Sequence, residues 1–224
     1  MVTRKYEVKP APGKTNKSLQ SALEVSGVIA TGGLHLVFVH AFNARATFIT
    51  LSIAGWTAYI ATRLWNDPSC LLVWGFSRQG LRTALTATTV VALPATALMA
   101  IIALSQDALS LQWHMLPLLL LYPIWGLVQQ FLVQALVAAN LKRAAPAISS
   151  TWIVTPICGL LFGIVHLPDL RLAGCTFLLG LVFTPIYLKW RNLWPLGLYH
   201  GWLGVLFYFW ILRRDPWSEV IRPF

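Results

Sequence analysis

Residues 108–141 read ALSLQWHMLPLLLLYPIWGLVQQFLVQALVAANL, 34 positions between Asp107 and Lys142 without one Asp, Glu, Lys or Arg. A bilayer's hydrocarbon core is ~30 Å thick and a helix rises ~1.5 Å per residue, so ~17–25 apolar residues cross it. This stretch exceeds one span, and Pro117 and Pro123 are its natural breaks. Six further charge-free intervals reach span length. Glu24 to Arg45 leaves 20 residues, Arg45 to Arg63 leaves 17, and Arg82 to Asp107 leaves 24. Arg143 to Asp169 leaves 25, Arg171 to Lys189 leaves 17, and Arg191 to Arg213 leaves 21. The fold expected is an all-α, polytopic transmembrane helical bundle of seven spans, or eight with a partly inserted segment near 110–122. Residues 68–82 are too short to span, and Leu71, Leu72, Trp74 and Phe76 followed by Arg78 and Arg82 suit a helix at the membrane interface.

Composition agrees. Of 224 residues, 57% are hydrophobic and 11% charged, against about 25% charged in a soluble domain. Too little charge remains to coat a water-facing surface, and disordered chains are poor in apolar residues rather than rich in them. The net charge of +10 is then a matter of topology and not of nucleic-acid binding, because Lys and Arg gather in cytoplasmic loops. With the N-terminus inside and seven spans, 12 basic residues lie inside and 5 outside. The chain divides into a basic cytoplasmic arm (1–20), one transmembrane domain (21–214) and a short C-terminal tail (215–224). No cleavable signal peptide is evident. Cys70, Cys158 and Cys175 form no CxxC and are expected to pack as small apolar residues. Membrane lipids are the expected partners.

Polar residues inside spans mark candidate sites, since each costs free energy without a partner. Three regions stand out. Gln130 and Gln134, one helical turn apart, share a face, and Gln129 lies about 100° away. His166 closes the segment FGIVH, and His200 lies within LWPLGLYHGWLG. His35, His40 and His114 have no polar companions nearby in sequence and read as packed or interfacial.

The order GLVQQFLVQ, FGIVH, LWPLGLYHGWLG resembles the three motifs of the CAAX prenyl endopeptidase and bacteriocin-processing (CPBP, or Abi) intramembrane family. Those motifs are Glu-Glu-x-x-x-Arg, Phe-x-x-x-His and His-x-x-x-Asn/Asp, each on its own helix. The resemblance covers about residues 110–212, with 36 residues from Gln130 to His166 and 34 from His166 to His200. Phe162 and His166 match the second motif, and the Leu-Trp-Pro before His200 matches the lead-in to the third. It implies peptide-bond hydrolysis of membrane-associated or prenylated substrates, a bacterial inner membrane, and a site at His166, His200, Gln129 and Gln130, with Gln134, Phe162 and Gly204 beside it.

The chain departs from that pattern where the chemistry lies. Gln129 and Gln130 replace the glutamate pair, Gln134 replaces the arginine, and Gly204 replaces the Asn or Asp. In the family a glutamate takes a proton from water while two histidines position that water and stabilise the oxyanion. A carboxamide has no useful basicity and offers only hydrogen bonds. Losing the arginine together with the carboxylates avoids an unpaired buried charge. No cofactor is expected; two histidines without a carboxylate or cysteine are thin for zinc, though a metal ion stays open. Three readings stand side by side: an endopeptidase of unusual chemistry with a histidine as base, a non-catalytic member that binds a lipidated peptide or scaffolds a partner, and a channel or carrier.

Overall fold

Long apolar segments bounded by charges become helices because in lipid every backbone N–H and C=O must be satisfied within the segment. The structure, a computed structural model, describes residues 14–42, 44–144 and 149–216. Most of the basic arm, residues 145–148 and the tail from 217 lie outside these. Among the described residues there is no strand. The helices are α1 (Lys14–His40), α2 (Arg45–Asn66), α3 (Cys70–Trp74), α4 (Leu81–Ser105), α5 (Met115–Gln130), α6 (Ala139–Ala144), α7 (Thr151–Ile164), α8 (Leu170–Trp190) and α9 (Trp194–Leu206). A π-helical stretch, Phe131–Ala138, joins α5 to α6 into one rod, and a second, Phe207–Leu212, extends α9.

Among the described residues, seven rods thus stand where seven charge-free intervals predict them. Five are long and apolar enough to cross a membrane: Ser18–Phe38, Leu81–Ser105, Met115–Arg143, Leu170–Trp190 and Trp194–Leu212. α2 is not among those five, and α7 has only 14 residues, ~21 Å of rise. The expected break at Pro117 or Pro123 does not occur, nor does a separate inserted segment near 110–122. Pro117 falls in the first turn of α5, where its missing N–H leaves no bond unmade. Pro123 is carried inside α5 at the point where Gly201 brings α9 against it.

Successive rods run antiparallel between two ends. One end gathers Arg63, Arg143, Lys189 and Arg191; the other pairs Asp169 with Arg214 at 3.0 Å and His114 with Asp215 at 3.1 Å. Trp65 and Trp152, each 90% exposed, ring the basic end, and Trp113 lies exposed at the other, as aromatic side chains do at membrane interfaces. Outward-facing Val90, Leu93, Ile101 and Leu104 on α4 are exposed apolar side chains whose solvent is lipid.

The 68–82 segment differs from the expected interfacial helix. Before α4 begins at Leu81 only Cys70–Trp74 is helical; Leu71 and Leu72 face outward, but Trp74 is buried and packs on Phe131, ring centroids 5.1 Å apart. Phe76 also stacks toward Phe131. The segment is strapped to the end of α8: Tyr187 donates to the Trp74 carbonyl at 3.0 Å and Asn192 Nδ2 to the Ser77 carbonyl at 2.8 Å. Gly75, at φ 96°, permits this, since a Cβ there would sit 2.7 Å from the Arg191 oxygen. Cys70 and Cys158 are buried as expected, whereas Cys175 is exposed.

The tightest helix crossings are α5 with α9 and α7 with α8, both on glycine. A Cβ on Gly126 would approach the Gly197 oxygen to 2.5 Å, and one on Gly180 would meet Gly159 Cα at 2.7 Å. Small residues that let backbones touch drive helix association in lipid, where no hydrophobic difference separates protein from solvent.

Candidate functional site

The α5–α9 crossing places Gln130 opposite His200. Gln130 has no exposed surface, and its Nε2 donates to His200 Nδ1 at 3.3 Å. Gln134, equally buried and one turn on, donates from Nε2 to Gln130 Oε1 at 3.1 Å. The chain therefore runs Gln134 to Gln130 to His200, all neutral. It crosses the point where α-helix passes into π-helix, a distortion that recurs at functional sites. The Gln134 carbonyl accepts the Ala139 N–H, the i to i+5 bond of that wider turn. Gln134 Oε1 is buried and has no hydrogen-bond partner among the described residues.

His166 and His200 meet through Phe162. Its ring lies 5.2 Å from the His166 imidazole and 5.1 Å from that of His200, edge to face in both cases. α7 ends at Ile164, so His166 sits in the turn before α8 rather than on a helix, and its Nδ1 donates to the Phe162 carbonyl at 2.6 Å. A carbonyl only accepts, so Nδ1 carries the proton and Nε2 keeps its lone pair. At His200 the roles reverse, because an amide nitrogen only donates: Nδ1 is the acceptor, and the Gly126 backbone is the ring's other polar neighbour.

Five of the seven candidate residues thus converge: Gln130, Gln134, Phe162, His166 and His200. Gln129 is half-buried beside them and makes no hydrogen bond among the described residues. Gly204, one turn beyond His200, faces Tyr122, with 3.8 Å from a built Cβ to Tyr122 Cδ1. Asp169, the acid closest in sequence to a motif, is occupied elsewhere. It caps α8 by accepting from the Arg171 and Leu172 amides, each at 3.1 Å, and pairs with Arg214. Among the described residues no three His, Cys, Asp or Glu side chains group as a metal would require.

With the three motifs on one crossing, comparison with known families becomes specific. A family model described as type II CAAX prenyl endopeptidase Rce1-like matches residues 111–206. That segment is similar to the Rce1-like family. The match takes in a little under half of the chain and contains all seven candidate residues. The molecule is an integral membrane protein with a CAAX-protease-like helical core. No curated protein and no solved structure matches the chain.

One polar centre escaped the sequence reading. Glu24, used above only to bound an interval, is buried between α1, α2 and α6 and is bonded by Gln20, Tyr59, Arg63 and Asn140. The available signal was Asn140, an amide inside the same apolar interval as the glutamines.

Proposed function

We propose that the protein is a non-hydrolytic member of its fold, which holds a membrane-associated or lipidated peptide by hydrogen bonds from its amide and imidazole cluster. The observation that carries this reading is the direction of the Gln130–His200 bond. A carboxylate at 130 could accept a proton; the carboxamide instead donates into the His200 lone pair and occupies it. Neither nearby acid supplies the missing base. Asp169 caps a helix, and both Glu24 oxygens are held by donors. What the cluster still offers is two acceptors suited to the N–H groups of a peptide: the half-buried His166 Nε2, and Gln134 Oε1, which is fully buried and is reached only as the cluster opens. No cofactor enters this reading. The basic end is cytoplasmic by the positive-inside rule, and the membrane is the bacterial inner one by the family's usual occurrence.

The test is binding and cleavage of a prenylated peptide by the purified chain in detergent. The native protein is expected to bind without turnover, and Gln134→Leu and His166→Ala to weaken binding. Combined Gln129→Glu, Gln130→Glu and Gln134→Arg is expected to produce hydrolysis. Cleavage by the native chain that disappears in both His166→Ala and His200→Ala would overturn the reading in favour of a histidine-based endopeptidase.

A further inference from the structure

A carboxylate inside an apolar helix marks function unless its partners explain it fully. Glu24 is 5% exposed. Its Oε1 accepts from Arg63 Nη1 at 2.6 Å, from Gln20 Nε2 at 2.7 Å and from the Tyr59 hydroxyl, and its Oε2 accepts from Asn140. Arg63 approaches from the protein side. Its Nη1 is shared between Glu24 and Tyr59, its Nη2 reaches Cys70 Sγ at 3.3 Å, and its guanidinium lies over the Trp74 ring. The ion pair explains Arg63, yet it does not close off Glu24, which also lines a groove.

That groove, about 530 Å³, runs between α1 and α2. Gly27, Gly55 and Trp56 line its length, and Gln20, Glu24 and Tyr59 line one end. Its α1 wall from Gln20 to Thr31 rises ~16 Å, about half the hydrocarbon thickness. Gly55 keeps it open, with no atom within 4 Å of where its Cβ would stand. Leu19, Leu51 and Ile53 beside it are exposed apolar side chains, so it opens to the acyl phase.

We propose that the α1–α2 groove binds a membrane lipid bearing a primary ammonium group, its chain along Gly27, Gly55 and Trp56 and its ammonium among Gln20, Glu24 and Tyr59. Among the described residues, the one formal charge on the lining is the Glu24 carboxylate. The Trp56 ring, edge to face with Tyr59 at 5.7 Å between centroids, adds a π face that attracts a cation, while Tyr59 already carries the Arg63 guanidinium 5.9 Å from its ring centroid. Gln20 supplies a neutral donor to Oε1; an ammonium taking its place makes a charge-assisted bond, which is stronger. An anionic headgroup would meet the carboxylate instead, since the donors of Arg63 are already engaged. This site is separate from the amide–imidazole cluster and does not depend on how that cluster is read.

The full chain, reconstituted in nanodiscs with equal amounts of ethanolamine and glycerol phospholipids of identical acyl chains, is extracted in mild detergent. Retained lipids are then counted by mass spectrometry. The ethanolamine lipid is expected to be enriched roughly two- to five-fold, the scale of one cation–π contact. Gly55→Leu fills the groove without touching Glu24 and is expected to abolish the enrichment. Gly33→Leu, on a lipid-facing glycine that also has open space around its Cβ, is expected to preserve it. Glu24→Gln is expected to reduce it; where that variant does not fold, Gly55→Leu against Gly33→Leu decides. Equal retention of the two headgroups by the native chain, or enrichment that survives Gly55→Leu, would overturn the proposal.

Discussion

Adding one methyl group at Gly201 tests whether the amide–imidazole contact is set by backbone packing. A Cβ there would lie 2.5 Å from Pro123 Cα and 2.5 Å from the Tyr122 carbonyl carbon, both main-chain atoms without a rotamer to escape into. Ordinary contact begins at 3.4 Å, so α9 must retreat from α5 by about 1 Å. The Gln130–His200 bond, already 3.3 Å, would then pass beyond hydrogen-bonding reach. Overpacking of this kind costs about 1–3 kcal/mol, and a lost polar contact in lipid about 0.6 more. At ~2–4 °C per kcal/mol for a chain of this size, Gly201→Ala is expected to lower the midpoint of thermal unfolding in detergent by roughly 3–14 °C. Gly204→Ala is the matched control on the same helix, because its Cβ meets only Tyr122 Cδ1 at 3.8 Å. It is expected to unfold within about 0.5 kcal/mol of the native chain. The imidazole resonances of His200 report the site directly and should move in Gly201→Ala alone. Equal unfolding midpoints for the two variants would refute the argument that backbone contact holds the site together.

Other outcomes follow from single contacts. Asn140→Leu removes the donor to Glu24 Oε2 and leaves Arg143 without its bond to Asn140 Oδ1, and is expected to cost about 1–3 kcal/mol in the same unfolding assay. Arg63→Met strands a buried carboxylate and is expected to cost more, about 3–5 kcal/mol. Asp169→Ala loses both the α8 cap and the Arg214 pair and is expected to cost about 0.5–2 kcal/mol, without changing peptide binding at the cluster. Outside the spans, the Ser69 hydroxyl and amide hold the Asp67 carboxyl below its ordinary pKa. A depressed folded pKa contributes stability above the unfolded value and loses it as pH falls through the folded one. Ser69→Ala is expected to raise the Asp67 midpoint in an NMR titration and so move that loss to higher pH.

The long rods were legible from charge spacing, because a bilayer excludes ionised side chains over a fixed thickness. Interval arithmetic fails where protein rather than lipid surrounds the segment. Pro123 reads as a break, yet it continues α5 because Gly201 lets α9 close over it. Trp74 and Phe76 read as lipid anchors by composition, but Gly75 and Gly80 fold the strap back onto α8 and turn both rings inward. Glu24 serves equally well as a boundary whether it faces water or Asn140, and only the α1–α6 packing distinguishes the two.

The sequence by itself determined the membrane class, the seven rods, and the neutrality of the glutamine and histidine residues that make the candidate site. These depend on residue type and spacing, which the chain states directly. It could not determine that Gln130 and His200 touch, that Phe162 lies against both imidazoles, or that His166 sits in a turn beyond a 14-residue helix. The Gln130–His200 and Phe162–His200 contacts join residues 70 and 38 positions apart and depend on crossings at which glycine removes the side chain that would hold the helices apart. The Gln130–His200 contact follows from the same crossing, and the proposal that the site holds a peptide starts from that contact.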